Sequence, residues 1–316
     1  MKRRDMLRNS AALGFVAALP FSRAVAASAD AASSKPSSDT TAAKPAVVAN
    51  KLKPPADGDI PVAFLLSDGA VVIDFCGPWE VFNNVMAGGR MGAFRLYTVA
   101  ETASPIKASG GMKILPDHTF ANAPAPKVIV IPAQGNATEA AMEWIRASSK
   151  NADVTMSVCT GAYVLAATGL LDGRPATTHH SSYADLARQF PAVHVQRGAR
   201  FVETGNLATA GGLSSGIDLA LRVVERYFGR DVATQTAYDM EYQGQGWLDP
   251  NSNSIYGKIR TSANGHPLCA VCSMTVDAAT APTSVYKSTK YYFCSQDHKG
   301  QFDAAPETFV ALIQKS

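Results

Sequence analysis

VTMSVCTGAYVLAATGLLDGRPATTHH, residues 154–180, decides the fold. An apolar run from Val154 to Val158 stops at Cys159, and Thr160 and Gly161 follow. A helical pattern then begins. Tyr163, Ala166 and Ala167 repeat at i, i+3 and i+4, with Val164 and Leu165 widening the apolar face. The spacing predicts strand, sharp turn, helix, with a thiol at the turn. A side chain so placed sits at the carboxyl end of a strand and over the positive end of a helix. That end favours an anion, so the expectation is a thiol whose pKa is lowered. The same strand–turn–helix carries the serine of hydrolases. A free cysteine is most often a small buried hydrophobe. Here small residues flank it where strand becomes helix, which favours a reacting thiol.

On either side of this stretch the pattern repeats. Residues 61–67 (PVAFLLS), 94–100 and 127–132 (KVIVIP) are apolar runs that read as buried strands. Residues 72–86 read as a loop entering a helix, with Trp79, Phe82, Asn83 and Met86 on one face. Further helices are expected at 138–149, 215–228 and 232–242, and short strands near 174–177, 193–195, 200–202 and 207–210. Gly110-Gly111 between short apolar arms is a hairpin signal. Buried strands alternating with helices predict an α/β fold with a mostly parallel sheet. Ligands bind such sheets at the carboxyl ends of strands, near a switch in strand order. Ser67, Pro132 and Cys159 all lie at such ends.

The chain has 316 residues, room for one large core or two domains, and a net charge of +3. No basic cluster lies outside the N-terminus, so no nucleic-acid partner is expected. Arg3 and Arg4 precede a short apolar run, residues 11–20, and Ala24-Val25-Ala26 forms an A-x-A cleavage site. Residues 1–26 therefore read as an export signal of twin-arginine type, too short to span a bilayer. The mature protein is expected without a membrane span, in the periplasm or cell envelope. Residues 27–59 are Ala, Ser, Pro, Thr and Lys without a periodic apolar face, and read as a disordered linker. The five cysteines are an odd count for an exported chain, which argues against a complete disulfide framework.

Residues 244–265 are rich in Gly, Asn, Ser and Pro and read as a second linker, with a short tether around Trp247 and Ile255. A small domain, residues 266–316, follows. Cys269-x-x-Cys272 offers two thiolates close enough to grip one ion, and Cys294 comes after a hairpin-like stretch. His298 is four residues on, one helical turn, so the two face the same way. Three thiolates and an imidazole suit tetrahedral zinc, and soft thiolates also accept copper(I). A domain this small often needs such a staple.

Residues 154–180, with AGGLSSGIDLAL from Ala210, QTAYDMEYQ from Gln235 and FLLSDGAVVIDFCGPWEVF from Phe64, resemble the ThiJ/PfpI superfamily. The likeness is strongest to its isonitrile hydratase branch and to the amidase-like sensor domains of AraC-type regulators. It covers roughly residues 60–243 and includes Asp74, Gly77, Pro78, Glu80, Val81 and Phe82 in a D-x-x-G-P-x-E-V-F pattern. The resemblance implies a flavodoxin-like α/β sandwich of the class I glutamine-amidotransferase-like type. It also implies a homodimer, a small-molecule substrate and no cofactor in the large domain.

Carried over, the catalytic residues are Cys159, Asp74 and Thr160. The backbone of Ala133, Gln134 and Gly135, the amide of Thr160 and the side chain of His179 would line the substrate and steady developing charge. The implied reaction is attack of the thiolate on an isonitrile carbon, a thioimidate, addition of water and release of a formamide, with Asp74 handling the protons. The family usually has Pro-Gly-Gly where this chain has Pro132-Ala133-Gln134, and a tryptophan where it has His180. Its proteases place a histidine after the cysteine, where this chain has Thr160, so a peptidase is disfavoured.

The C-terminal stretch resembles the YHS domain at Cys272-Ser-Met274-Thr-Val276, Ala281, Tyr286, Tyr292-Phe293-Cys294-Ser295 and Phe302. His298 stands where that family usually has a second cysteine, and the resemblance implies metal binding by Cys269, Cys272, Cys294 and His298. Three functions follow: an exported lyase that hydrates a carbon–nitrogen multiple bond, a ligand-, redox- or metal-sensing envelope protein, or a glyoxalase-like hydration of α-oxoaldehydes.

Overall fold

The computed structural model describes residues 50–55, 58–135 and 137–313. The expected export segment and residues 27–49 of the first linker lie outside them. Every element below lies within one compact unit, Val47–Ser316.

Seven strands form the central sheet: β1 (Ile60–Leu65), β2 (Phe94–Ala100), β3 (His118–Thr119), β4 (Val128–Ile131), β5 (Val154–Val158), β6 (Phe201–Thr204) and β7 (Leu207–Ala210). Their order is β6-β7-β5-β4-β1-β2-β3, and only the β6–β7 pair is antiparallel. This is a mixed α/β fold with a mainly parallel sheet, as the apolar runs predict. From β1 the chain first builds outward through β2 and β3, then returns to the other side with β4. The loops after β1 and β4 therefore diverge at a switch point, the place where open parallel sheets leave a crevice.

The strands read as continuous apolar runs because both faces are covered. Val128 and Val130 pack with Val62, Phe64 and Met156 against α1 (Val72–Asn83) and α5 (Ser215–Phe228). Ile129 and Ile131 pack with Ala63 and Leu65 against α2 (Glu139–Ser149) and α3 (Gly161–Ala167). Each of these Val, Leu, Ile, Phe and Met side chains contributes about 1.5–3 kcal/mol by leaving water. A charge at Val130, which is wholly buried, would find no partner on either side. Thr138 caps α2, its hydroxyl accepting the Ala141 N–H at 3.2 Å. The hairpin expected around Gly110-Gly111 is present, with Ile106–Lys107 paired to Lys113–Ile114 and both glycines at positive φ. Two shorter helices, α4 (Tyr183–Gln189) and α6 (Arg230–Asp239), complete the large layer structure. Among the described residues no helix is long and apolar enough to cross a membrane.

Residues 244–265 pack onto α5 and the segment before β6. Trp247 is buried and its N–H donates to Asp218 Oδ1 at 2.9 Å. The Arg200 N–H donates to the Pro250 carbonyl at 2.6 Å, and its Nη1 to Asn253 Oδ1 at 3.2 Å. Ile255 is exposed. Beyond it stand a hairpin, β8 (Thr283–Tyr286) and β9 (Thr289–Tyr292), and two helices, α7 (Gln296–Ala304) and α8 (Pro306–Leu312). Their small core is Cys269, Ala270, Val271, Cys272, Phe293 and Phe302, and Ala184 of α4 packs onto it.

Candidate functional site

Strand β5 ends at Val158 and α3 begins at Gly161, so Cys159 stands at the turn between them. Its φ is +57°, a left-handed backbone that costs a non-glycine residue about 1–2 kcal/mol. Hydrogen bonds hold it there: the Cys159 N–H donates to Gly211 O at 2.8 Å and Ala210 O at 3.2 Å, and its carbonyl accepts the Thr178 hydroxyl at 2.9 Å. Gly161 allows α3 to start so close to the sheet. A Cβ there would fall on the carbonyl oxygens of Ile131 and Pro132.

Asp74 comes from the first turn of α1 and is wholly buried. It does not cap the helix; Val71 occupies the cap position. Its Oδ2 accepts the Ala133 N–H at 3.1 Å, while Oδ1 has no hydrogen-bond partner. The loops after β1 and β4 are laced together around it. The Val71 N–H donates to Ala133 O at 2.8 Å and the Gly135 N–H to Asp68 O at 3.1 Å. Gln134 Oε1 accepts from the Ser67 N–H at 2.7 Å and the Ser67 hydroxyl at 3.0 Å. The Ala133 amide is thus engaged by Asp74 and the Gly135 amide by the loop after β1, and the Gln134 side chain ties the loop after β4 to the loop after β1.

Burial pushes Asp74 up to about 6, against the lowering effect of the Ala133 N–H and the Cys159 thiol. Burial also pushes Cys159 up to about 11, and the neighbouring Asp74 charge adds to the rise. The amides of Thr160 and Leu213 and the Thr160 hydroxyl act in the opposite sense. The lowered thiol pKa expected from the helix end is therefore reversed. The reason is that Cys159 is only 7% exposed and faces a carboxylate, and a two-turn helix does not offset both. The geometry brings Cys159, Asp74, Thr160 and Ala133 together. It adds Leu213, which sequence reasoning missed. Its own φ of +40° marks the tight turn that aims its amide at the sulfur, and the Gly211-Gly212 pair before it is the one local signal.

His179 lies on the other side of this turn. Its Nδ1 is 2.8 Å from Ser181 Oγ and accepts the Ser181 N–H at 3.3 Å, and its ring rests on Gly212, where any Cβ would collide. A pocket beside it is lined by His179, His180, Leu213, Ser214, Asn253 and Tyr256. Burial holds both histidines low, and His180, lowered also by His179 and Arg197, falls to about 4. Both are neutral at pH 7. Tyr256 stacks on His180 with ring centroids 5.2 Å apart, so the 244–265 segment supplies a pocket wall that its composition conceals. A second pocket opens beyond Thr160, Gln134 and Gly135. Cys76 is half-buried, and burial and Glu80 raise its thiol; all five cysteines are free.

In the C-terminal segment the ligand atoms of Cys269, Cys272, Cys294 and His298 all lie within 4.8 Å of one another. Cys272 Sγ is 3.7 Å from Cys294 Sγ, and His298 Nδ1 is 3.1 Å from Cys294 Sγ and 3.4 Å from Cys269 Sγ. A tetrahedral zinc with Zn–S of about 2.3 Å sets sulfurs about 3.8 Å apart, so the donor set has the right chemistry and spread. The hydrogen bond from Cys272 holds Cys269 below the usual thiol range, and the hydrogen bond with Cys269 in turn raises His298. His298 Nε2 lies 3.0 Å from Asp185 Oδ2 of α4.

Residues 61–226 match the model of the DJ-1/PfpI family. The isonitrile hydratase of Pseudomonas putida is 33% identical over 186 residues, spanning 57% of this chain and 78% of that one. The HTH-type transcriptional regulator GbdR of Pseudomonas aeruginosa is 26% identical over 54% of this chain, and the match spans 48% of the regulator. Among solved structures, a ThiJ/PfpI family protein from Pseudomonas syringae superposes with a TM-score of 0.53 at 28% identity, covering 60% of this chain and 77% of that one. With the parallel sheet, the turn at Cys159 and the matched span of residues all agreeing, the chain belongs to the DJ-1/PfpI family.

Proposed function

We propose that this protein is a cysteine-dependent lyase that adds water to a carbon–nitrogen multiple bond, as an isonitrile hydratase does. The observation that carries the reading is the buried Asp74 carboxyl beside the Cys159 thiol, with a free Oδ1. At pH 7 the thiol is protonated and the carboxylate ionised, which is the pairing a proton relay needs. An isonitrile carbon must receive both a nucleophile and a proton, so a protonated thiol is no handicap. The sulfur bonds to that carbon, and the thiol proton, passed through Asp74 Oδ1, ends on the same carbon to give R–N=CH–S–Cys159. Water then adds across the C=N bond to give R–NH–CH(OH)–S–Cys159. The C–S bond breaks, the hydroxyl proton returns to sulfur and R–NH–CHO leaves. The Thr160 and Leu213 amides support the sulfur as it carries charge. The 33% identical isonitrile hydratase supports this choice of chemistry. Incubation with cyclohexyl isonitrile tests it: formamide is expected with the wild type and not with Cys159→Ala, and formamide retained in Cys159→Ala overturns it.

A sensing role is the second reading. It is favoured by the regulator relatives and by a thiol 7% exposed. Tight ligand binding without turnover in the same assay selects it.

The C-terminal segment fits a YHS-type module in which Cys269, Cys272, Cys294 and His298 hold zinc or copper(I). The metal would cross-link Cys269 and Cys272 to Cys294 and His298 and so close a small core. Export by the twin-arginine route and a homodimer complete the reading; loss of the mature form from the envelope after Arg3→Lys and Arg4→Lys checks the former.

A further inference from the structure

Three of the four metal donors belong to one locus: Cys269 and Cys272 on their loop, and Cys294 just after β9. His298 is different, because its second ring nitrogen is held by the other domain. Nε2 is 3.0 Å from Asp185 Oδ2, and Asp185 is itself fixed by Gln301 Nε2 on Oδ1 at 3.0 Å and by Arg188 at 3.3 Å. Arg188 also reaches Asp297 at 3.4 Å, and Ala184 packs onto the small core. These polar contacts join α4 on one side to α7 on the other. A neutral imidazole that binds metal through one nitrogen carries its proton on the other, and a carboxylate on that N–H fixes the tautomer and the ring plane.

We propose that Asp185 is the positioning residue of the metal site, supplied by the large domain, so that metal binding and docking of the C-terminal module on α4 are one equilibrium. This rests on the metal reading above. Asp185 accepts the Nε2–H and turns the Nδ1 lone pair toward the three sulfurs. A module that swings off α4 loses this support and binds metal more weakly. By reciprocity, metal in the site holds the module on α4. The consequence reaches the pocket lined by His179, His180 and Leu213, because α4 follows directly on the 179–182 segment that carries the two histidines.

The test uses the full chain, zinc and a chromophoric chelator in competition. Asp185→Ala is expected to weaken zinc binding by about 10- to 100-fold. Asp185→Asn, which keeps an acceptor but not the charge, falls between. In a His298→Cys background the fourth donor needs no carboxylate, and Asp185→Ala is expected to change the affinity less than twofold; a general folding defect would lower both. Hydrogen exchange in residues 183–189 slows on adding zinc to the wild type and does not in Asp185→Ala. Wild-type binding with an unchanged Asp185→Ala affinity overturns the inference while leaving the metal site standing. No zinc or copper(I) bound by the wild type removes the metal site, and the inference with it.

Discussion

Replacing Asp74 with asparagine should stabilise the protein at neutral pH. The carboxyl is wholly buried, one oxygen has no partner, and its pKa rises from 3.8 to about 6. A folded-state pKa above the unfolded one means that the contribution is fully present below about pH 4 and is lost as pH rises through about 6. Two pK units at 1.36 kcal/mol each make the ionised carboxylate cost the native state about 3 kcal/mol at pH 7 and above. Asparagine carries no charge and can still accept the Ala133 N–H. Its amide nitrogen replaces the free oxygen, a polar group without a partner, at a cost of about 1 kcal/mol. The variant is therefore expected to be about 2 kcal/mol more stable than the wild type at pH 7.5, or about 4–8 °C in Tm. At pH 4 it is expected to be about 1 kcal/mol less stable. The assay is thermal or urea unfolding of both proteins across pH 4–8, and only the difference between the curves is read, so other titrating groups cancel. A variant destabilised equally at both ends of that range would refute the idea that Asp74 is held as a desolvated charge.

Three further outcomes follow from the same geometry. Iodoacetamide should label Cys159 at pH 8 at least about tenfold more slowly than an ordinary thiol, because at a pKa of about 11 only about 0.1% is ionised; Asp74→Asn, by removing the adjacent charge, should speed labelling, and an unchanged rate contradicts the coupling. If Asp74 relays the proton, formamide production should fall about tenfold per pH unit below about 6, and an acid limb that persists in Asp74→Asn assigns it elsewhere. Gly161→Ala should cost about 1–3 kcal/mol in urea unfolding, since the added methyl meets backbone carbonyls that cannot turn aside, and wild-type stability would show that α3 can shift freely.

Much of the site's framework can be read locally. The turn at Cys159 shows because a short apolar run, a thiol, a glycine and a helical repeat lie next to one another, and each has a local physical meaning. Asp74 is legible as part of a pattern entering α1, but its partner Ala133 lies 59 residues away, and nothing local says that the carboxyl is buried. Tyr256 and Asn253 sit in a Gly-, Asn- and Ser-rich stretch whose composition reads as a linker, yet Trp247 and Arg200 pull that stretch onto the sheet's edge and make it a pocket wall. Asp185 carries no signal at all. It is one more acid on a short helix until α7 packs against it.

What the sequence by itself determined is the order of buried runs and helices, the position of the thiol between strand and helix, and the four metal-type donors. All three depend on spacings of a few residues. Only the tertiary structure decided the charge states and the couplings: the thiol is raised rather than lowered, Asp74 is kept near 6, Leu213 supplies an amide, and His298 is tied to Asp185. Desolvation is the reason. Local rules assign a helix end or a carboxylate the strength it has near water, and the energy of a charge changes most when distant segments close over it.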